Sequence, residues 1–431
     1  MQTFKDLFHV MPKAYQDRGI KYGLTHHYFI LGDDMGLGKT LQALGVAMAS
    51  KSKRVLVVCP SYLRENWISE IEKLCATWID AEAIRSAKDL ERVERDEVDF
   101  IIVSYHFVCQ SEELFHWADM VIADECQMLK DMNTNWTMCF HKFLYEGQPE
   151  RFVACSGTPI ENCVAEWFSI LMLMSYSPKK TNGESVKDLF KSDYYRFARY
   201  FCWVEYVKIR GGRTIEKYHG IKNRGRLGQL LKGKYIRRLS KDQLDLPKLL
   251  RKNVTVNYRD DGELLQTWYD HVSTETSVES RAKTRSAVVK APFTAEYCRA
   301  LSEERGKPIL VFTDHRESCE KIAKKLGWPE VNGSVSEAER ERITKAFQAG
   351  EIGGIVATIK SLYTGKTLTA AQDVVFNDKN WNPMVNKQAI FRIYRIGQES
   401  TCMVHNIIGS PQDLYINNKL EEKEEAVNQG L

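Results

Sequence analysis

The chain of 431 residues carries 61 Lys+Arg against 57 Asp+Glu, a net charge of +4, and is 43% hydrophobic and 27% charged. That balance excludes an intrinsically disordered chain, and the length suggests roughly two or three domains. The longest apolar cluster, near 170–174, is far too short to cross a bilayer, and the start MQTFKDLFHVMPK has no secretory apolar core, so a soluble protein without membrane contact is expected.

The eleven cysteines are scattered, with no C-x-x-C pair, so buried reduced thiols are expected, among them Cys59, Cys109 and Cys155, and no zinc site. Charge is uneven. Residues 208–252 hold 15 Lys/Arg and 3 Asp/Glu, which leaves the remainder of the chain acidic. A basic segment in an acidic body suits a polyanion partner, and equally suits a solvated charged face.

The first third alternates short apolar runs with helix-length stretches. HYFILGDD (27–34), RVLVVCP (54–60), DFIIVSY (99–105), MVIADE (120–125) and RFVACSG (151–157) read as buried strands. Strands alternating with helices predict βαβ units and a parallel sheet. The same grammar returns with strands at 308–314, 353–359, 371–378 and 402–408 and helices near 317–326, 337–348, 385–396 and 412–426. The fold class is therefore α/β: two parallel-sheet lobes with helical insertions between them. A first lobe is expected over 1–160, a helical protrusion with a basic brace, both associated with the first lobe, over 161–257, a connector over 258–305 and a second lobe over 306–431. The aromatic residues of 194–206 are expected to form the core of that protrusion, not a stacking platform.

Three constellations carry chemistry. GDDMGLGKT (32–40) follows a strand and opens a helix, as a phosphate loop requires. Gly36 and Gly38 allow tight turns that aim amides at a phosphate, Lys39 reaches the β- and γ-oxygens, and the Thr40 hydroxyl is a ligand for Mg2+. Asp33 stands where the strict pattern has its first glycine. Next, Asp124 and Glu125 end an apolar strand, where a parallel sheet meets its ligand. Asp124 is the candidate to hold Mg2+ through water, and Glu125 to polarise the attacking water. Finally, Arg392 and Arg395 in QAIFRIYRIGQ (388–398) fall three apart on a predicted helix and share a face. Two guanidiniums aimed together suit a γ-phosphate in transit. If they complete a site begun in the first lobe, hydrolysis is coupled to lobe closure.

From about Tyr15 to Glu422 the ordered motifs resemble the Swi/Snf-type ATPases, the branch of superfamily two that includes chromatin remodellers and annealing helicases. AYQDRGIKY resembles the family's adenine motif, which implies Gln16 as adenine reader. DECQMLKD, CSGTPIEN, VFTDHRE, FNDKNWNP and QAIFRIYRIGQ follow in family order. The resemblance implies that the two parallel-sheet lobes are RecA-like, that the cofactors are ATP with Mg2+, and that duplex DNA is tracked without strand separation. It implies contacts near the phosphodiester track from Ser61, Ser104, Tyr105, Thr313 and Thr358. Trp381 packs against a sugar or base, or is core. Coupling between the lobes falls by resemblance to Gln127, Ser156, Thr158 and Gly365. Arg237 and Arg238 either bind DNA or brace the lobes, and bracing fits better beside Leu246-Pro247.

The sequence departs from the family at Asp34, Gln127, the glycine-poor SLYTGKTLTAA (361–371) and Tyr394. None of these removes a phosphate-contacting group. The expected activity is a DNA-stimulated ATPase that moves along double-stranded DNA as a monomer, displacing protein cargo or remodelling DNA. The short segment GIKNRGRLGQL (220–230) resembles the annealing branch and keeps open a fork-remodelling motor on branched DNA. A non-catalytic DNA-binding module, and RNA in place of DNA, also stay open. The minimal make-up suggests a cytoplasmic, nucleoid-associated protein of bacterial or viral origin.

Overall fold

The computed structural model describes residues 8–95, 97–179, 184–208, 212–256, 276–362 and 367–430, excepting the side chains of 276–282, 412 and 426–430. The chain divides into two compact units, Met1–Gln243 with Glu425–Leu431, and Leu244–Glu424. No helix among the described residues is long and apolar enough to cross a membrane.

The first unit is built on a wholly parallel sheet. Its strands are Tyr28–Leu31 (β1), Val55–Cys59 (β2), Ala81–Ala83 (β3), Phe100–Ser104 (β4), Met120–Asp124 (β5), Arg151–Cys155 (β6) and Tyr235–Ile236 (β9). Their spatial order is β3-β4-β2-β5-β6-β1-β9. All five apolar runs read from the sequence become strands whose side chains are buried on both faces, because helices cover the sheet. Leu44, Val57, Trp67, Ile71 and Ile122 form part of the core on one side. β9 comes from the basic segment. Its ladder to β1 runs past the strand ends, with Gly32 N donating to Ile236 O (2.8 Å) and Asp34 N to Arg238 O (2.9 Å).

The stretch expected to be a helical protrusion is helical only in part. The helix Trp167–Met174 is buried all round and belongs to the core. The helix Tyr194–Phe201 is capped by Asp193, whose side chain accepts from Tyr195 N and Arg196 N. It leads into an antiparallel hairpin of Trp203–Lys208 (β7) and Thr214–His219 (β8). The aromatic residues expected in the core divide: Phe197 and Phe201 are buried, whereas Tyr195, Tyr200, Trp203 and Tyr206 are exposed.

The second unit has strands Leu249–Thr255 (β10), Ile309–Thr313 (β11), Glu330–Val331 (β12), Gly354–Thr358 (β13), Asp373–Phe376 (β14) and Cys402–Ile408 (β15). They lie in the order β10-β15-β14-β11-β13-β12, again all parallel. Two expectations are corrected. Residues 249–255, assigned to the first lobe, form the edge strand of the second sheet. Their charged side chains face water, as edge strands permit. The helix Thr276–Arg305, expected as connector, packs Ala291, Ala295, Cys298 and Leu301 against Ile309 and Val311 of that sheet. Residues 258–275 of the expected connector lie outside the described residues.

One thiol expectation is also corrected. Cys59 and Cys155 are buried and free, but Cys109 is exposed and disulfide-bonded to Cys139, with Cα atoms 5.3 Å apart. The turn after β4 and the helix Asn135–Gly147 bring the two together.

Candidate nucleotide site

The carboxyl ends of β1, β5 and β6 are level, since Leu31 and Asp124 both pair with Cys155. The chain that leaves each strand therefore emerges at one edge. After β1 the loop turns through Gly36 (φ 80°) and Gly38 (φ 71°), and the helix Lys39–Ser50 begins at once. Gly38 is required twice over, because a Cβ there would also lie 2.5 Å from Gln16 Nε2. Gln16 is seated against the loop: its Nε2 donates to Leu37 O (3.2 Å), and its Oε1 accepts from Lys13 N (2.8 Å). The Lys39 ammonium donates to two carbonyls of its own loop, Asp33 O (2.9 Å) and Asp34 O (3.4 Å). Thr40 is the second residue of the helix.

The missing glycine has a structural reason. Asp33 is fully buried, and both its oxygens are gripped by Arg238, Nε at 2.9 Å and Nη2 at 2.6 Å, while Arg238 N donates at 3.0 Å. Gln42 Nε2 donates to Asp33 Oδ2 (3.0 Å) and Gln42 Oε1 accepts from Arg238 Nη2 (2.6 Å). Asp34 accepts from Ser240 N (3.1 Å) and lies 3.6 Å from Arg237. The arginine pair, expected to brace one lobe against the other, instead braces the first unit internally, where it ties the phosphate loop to the chain after β9. Sequence reading noted Asp33 only as a departure from the glycine pattern and missed both its pairing with Arg238 and the part played by Gln42.

At the end of β5, Asp124 Oδ2 accepts from Trp67 Nε1 (3.0 Å) and Oδ1 from Glu125 N (3.0 Å). Burial first, then the neighbouring Glu125 carboxylate, raise the Asp124 carboxyl above the ordinary carboxylate range; Trp67 and Lys39 pull it down. A divalent cation beside this carboxylate would relieve that penalty, so its chemistry fits a Mg2+ ligand. Glu125 adopts a left-handed backbone (φ 52°), a conformation that costs a non-glycine residue about 1–3 kcal/mol and clusters at functional sites.

From Glu125 a hydrogen-bonded relay crosses to β6. Gln127 Nε2 donates to Glu125 Oε2 (2.6 Å), Ser156 Oγ donates to Gln127 Oε1 (2.6 Å), and Thr158 N donates to Ser156 Oγ (2.9 Å). The Thr158 hydroxyl is buried. Three of the four coupling residues named from resemblance are thus joined directly. The fourth, Gly365, lies outside the described residues.

The phosphodiester-track residues fare unevenly. Ser61 is exposed after β2, and Thr358, half-buried at the end of β13, shares a hydrogen bond with Ser361 Oγ (2.6 Å). Tyr105 is corrected. The turn after β4 points its ring inward beside Phe140, where it is fully buried, and its hydroxyl donates to Asp124 O (2.8 Å). Thr313 is corrected likewise: its side chain is fully buried, with the hydroxyl donating to Asp378 Oδ1 (2.5 Å). Ser104, ending β4, is also buried. Trp381 is half-buried with two ammonium groups near its ring, Lys283 Nζ at 5.7 Å and Lys423 Nζ at 5.9 Å.

Arg392 and Arg395 do not lie on a helix. The helix Pro383–Ile390 stops two residues short of the first arginine. Beyond it, Leu368 N takes the Arg392 carbonyl (2.9 Å) and Gly397 turns the chain at φ 95°. Gln398, buried and missed as a site-shaping residue, donates to Ala371 O (2.9 Å), Thr369 O (3.2 Å) and Ile393 O (3.2 Å). Its amide fixes the turns that carry both arginines.

A phosphate loop at the carboxyl edge of a parallel sheet, facing an acid pair, defines a phosphate-loop α/β protein. The chain matches the SNF2-related domain over residues 15–305 and the helicase conserved C-terminal domain over residues 293–397. It belongs to the SNF2-related family of helicase-like ATPases of superfamily two. It is 27% identical over 431 residues to the DNA annealing helicase and endonuclease ZRANB3 of Bos taurus, a match that covers 92% of this chain and 38% of that relative. It is 28% identical over 436 residues to the SWI/SNF-related matrix-associated actin-dependent regulator of chromatin subfamily A-like protein 1 of Bos taurus, covering 95% of this chain and 44% of that one. The chain thus spans less than half the length of these relatives. Among solved structures it resembles the Sulfolobus solfataricus SWI2/SNF2 ATPase core in complex with dsDNA, at 22% identity and a TM-score of 0.46, with 98% of this chain and 97% of that one covered.

Proposed function

We propose that the chain hydrolyses ATP and uses the cycle to move along double-stranded DNA without separating its strands. The observation that carries the reading is the Glu125–Gln127–Ser156 relay set beside the phosphate loop, since it holds a carboxylate in a defined direction at the edge where the loop opens. Gln16 reads the adenine, and the amides around Gly36 and Gly38 cradle the phosphates. Lys39 leaves its loop carbonyls for the β- and γ-oxygens. Thr40 and Asp124 would hold Mg2+, which when bound supplies positive charge against the phosphate oxygens. Glu125 takes the proton of the attacking water. Arg392 and Arg395 are assigned the charge that develops on the γ-phosphate.

DNA is the assigned partner because a relative carries DNA annealing in its name and because residues 208–252 are strongly basic. Ser61, Thr358 and Trp381 are the accessible candidates for backbone contact. The working form is a monomer on cytoplasmic, nucleoid DNA of a bacterial or viral system. The test is ATP hydrolysis at low salt with and without double-stranded DNA. Stimulation is expected, and it should vanish in Lys39→Ala and Glu125→Gln; an unstimulated wild type would sink the reading. A second reading, a motor on branched DNA, is favoured by the annealing relative. It predicts stronger stimulation by forked than by linear duplex.

A further inference from the structure

The arm formed by the helix Tyr194–Phe201 and the β7–β8 hairpin exposes what a stable fold would bury. Tyr195 is 58% exposed, Trp203 56% and Tyr206 68%. Isolated exposed aromatics are ordinary, but several on one short arm mark an interaction surface. The arm is also basic: residues 194–226 hold nine Lys/Arg and two Asp/Glu.

The rings and charges are interleaved. Tyr206 pairs across the hairpin with Glu216, which accepts two hydrogen bonds from Arg199, Nε at 3.1 Å and Nη2 at 2.7 Å. The Arg199 guanidinium in turn lies 5.8 Å from the centre of the Tyr195 ring. One of the arm's two acids is thereby neutralised, and two aromatic rings flank the pair. On the other face of the hairpin Trp203 pairs with His219, and Lys222 Nζ lies 5.3 Å from its ring.

Net positive charge selects a polyanion, and exposed flat rings select its base faces. In a duplex those faces are stacked away, so lysine and arginine alone would suffice there. Unpaired strands offer both phosphates and free π-faces. We propose that this arm is a second DNA-contacting element, which holds the unpaired bases of single-stranded DNA on both faces of its hairpin, against Tyr195 and Tyr206 on one and Trp203 on the other. The assignment goes beyond the duplex-tracking cycle and does not depend on it.

The experiment is fluorescence anisotropy of the full chain with a labelled oligo-dT of about 16 nucleotides. Wild type should bind, with affinity falling as salt rises. Trp203→Ala/Tyr206→Ala should weaken binding at least about 10-fold and keep the wild-type melting temperature. The double phenylalanine variant, which retains flat rings, should bind nearly as wild type. Equal affinity in wild type and the alanine variant, or no binding by wild type, would overturn the proposal. So would tighter binding of a matched oligo-rU, or an alanine variant altered only in self-association by sedimentation. Failure of duplex to stimulate hydrolysis would overturn the motor reading and leave this result standing.

Discussion

Ser156 donates to Gln127 at 2.6 Å, and by that bond the end of β6 holds the amide that in turn grips Glu125. The amide's two ends are used differently, its oxygen accepting and its nitrogen donating, so its orientation is fixed by its partners. Replacing Gln127 with Ala removes both bonds and frees the Glu125 carboxylate. Turnover is expected to fall about 10-fold or more while nucleotide affinity stays near wild type. Single-turnover hydrolysis alongside equilibrium binding of a fluorescent ATP analogue checks this. A variant that loses affinity but keeps its rate would refute the positioning role of Gln127.

Arg238→Ala leaves Asp33 as a buried carboxylate without its cation. Breaking a buried pair from one side costs about 3–5 kcal/mol. Urea unfolding should show that loss, and Arg238→Lys should recover only part of it, because one ammonium cannot match both oxygens of Asp33. If the alanine variant unfolds at the wild-type urea concentration, the brace contributes nothing to the fold.

Asp124→Asn should abolish activity and change how stability depends on pH. The Asp124 carboxyl titrates higher in the folded chain than in the unfolded one, chiefly through burial. Its contribution favours folding at low pH and is lost as pH rises through the folded value, so at neutral pH the charged form is a cost. Asparagine removes the charge but sets an amide N–H against Trp67 Nε1 or Glu125 N, so it is the pH trend that reports the burial penalty: the nucleotide-free variant should gain on wild type as pH rises through the folded value, while failing to hydrolyse ATP. Calorimetry that finds the same Tm difference at about pH 5 and about pH 8 would contradict the burial penalty assigned to this carboxylate.

His141 gives an independent dependence on pH. Its ring is buried between Tyr176 Oη (3.0 Å) and Ser169 Oγ (2.9 Å), and burial pushes its pKa from 6.5 down to about 3. A depressed value means that stability is intact above pH 6.5 and drains away as pH falls towards 3. Between pH 7 and pH 5 the loss from this group is about 2 kcal/mol. His141→Gln has no proton to gain, so the difference between wild type and variant in urea should shrink from pH 7 to pH 5. A constant difference would show that His141 is not the titrating group.

The legibility of this chain tracked how far each element depends on its own residues. β2, VLVVC, is apolar throughout because helices cover both faces, and it was readable at sight. β10, LLRKNVT, is an edge strand with charged side chains in water, so its pattern resembled a basic linker. β9 is two residues long and exists only because β1 offers it a ladder. The phosphate loop and the acid pair were legible because their spacing is local. The Asp33–Arg238 pair was not, since nothing near either residue announces the other. The spacing of Arg392 and Arg395 suggested a helical face, yet the distant amide of Gln398 and the Leu368 N–H draw that segment into turns. Tyr105 matched a surface motif, but the fate of its side chain was decided by Phe140, which only folding brings near.

The loop that holds Lys39 is anchored by a residue 205 positions downstream. A ribosome that has just released the GDDMGLGKT segment has made the words of this motif but not the clasp that closes them. Until Arg238 emerges, Asp33 remains a lone acid in a place that folding must dry. Assembly of the nucleotide pocket therefore falls late in synthesis of the first unit, and a nascent fragment that stops short of β9 should be a poor competitor for cellular nucleotide.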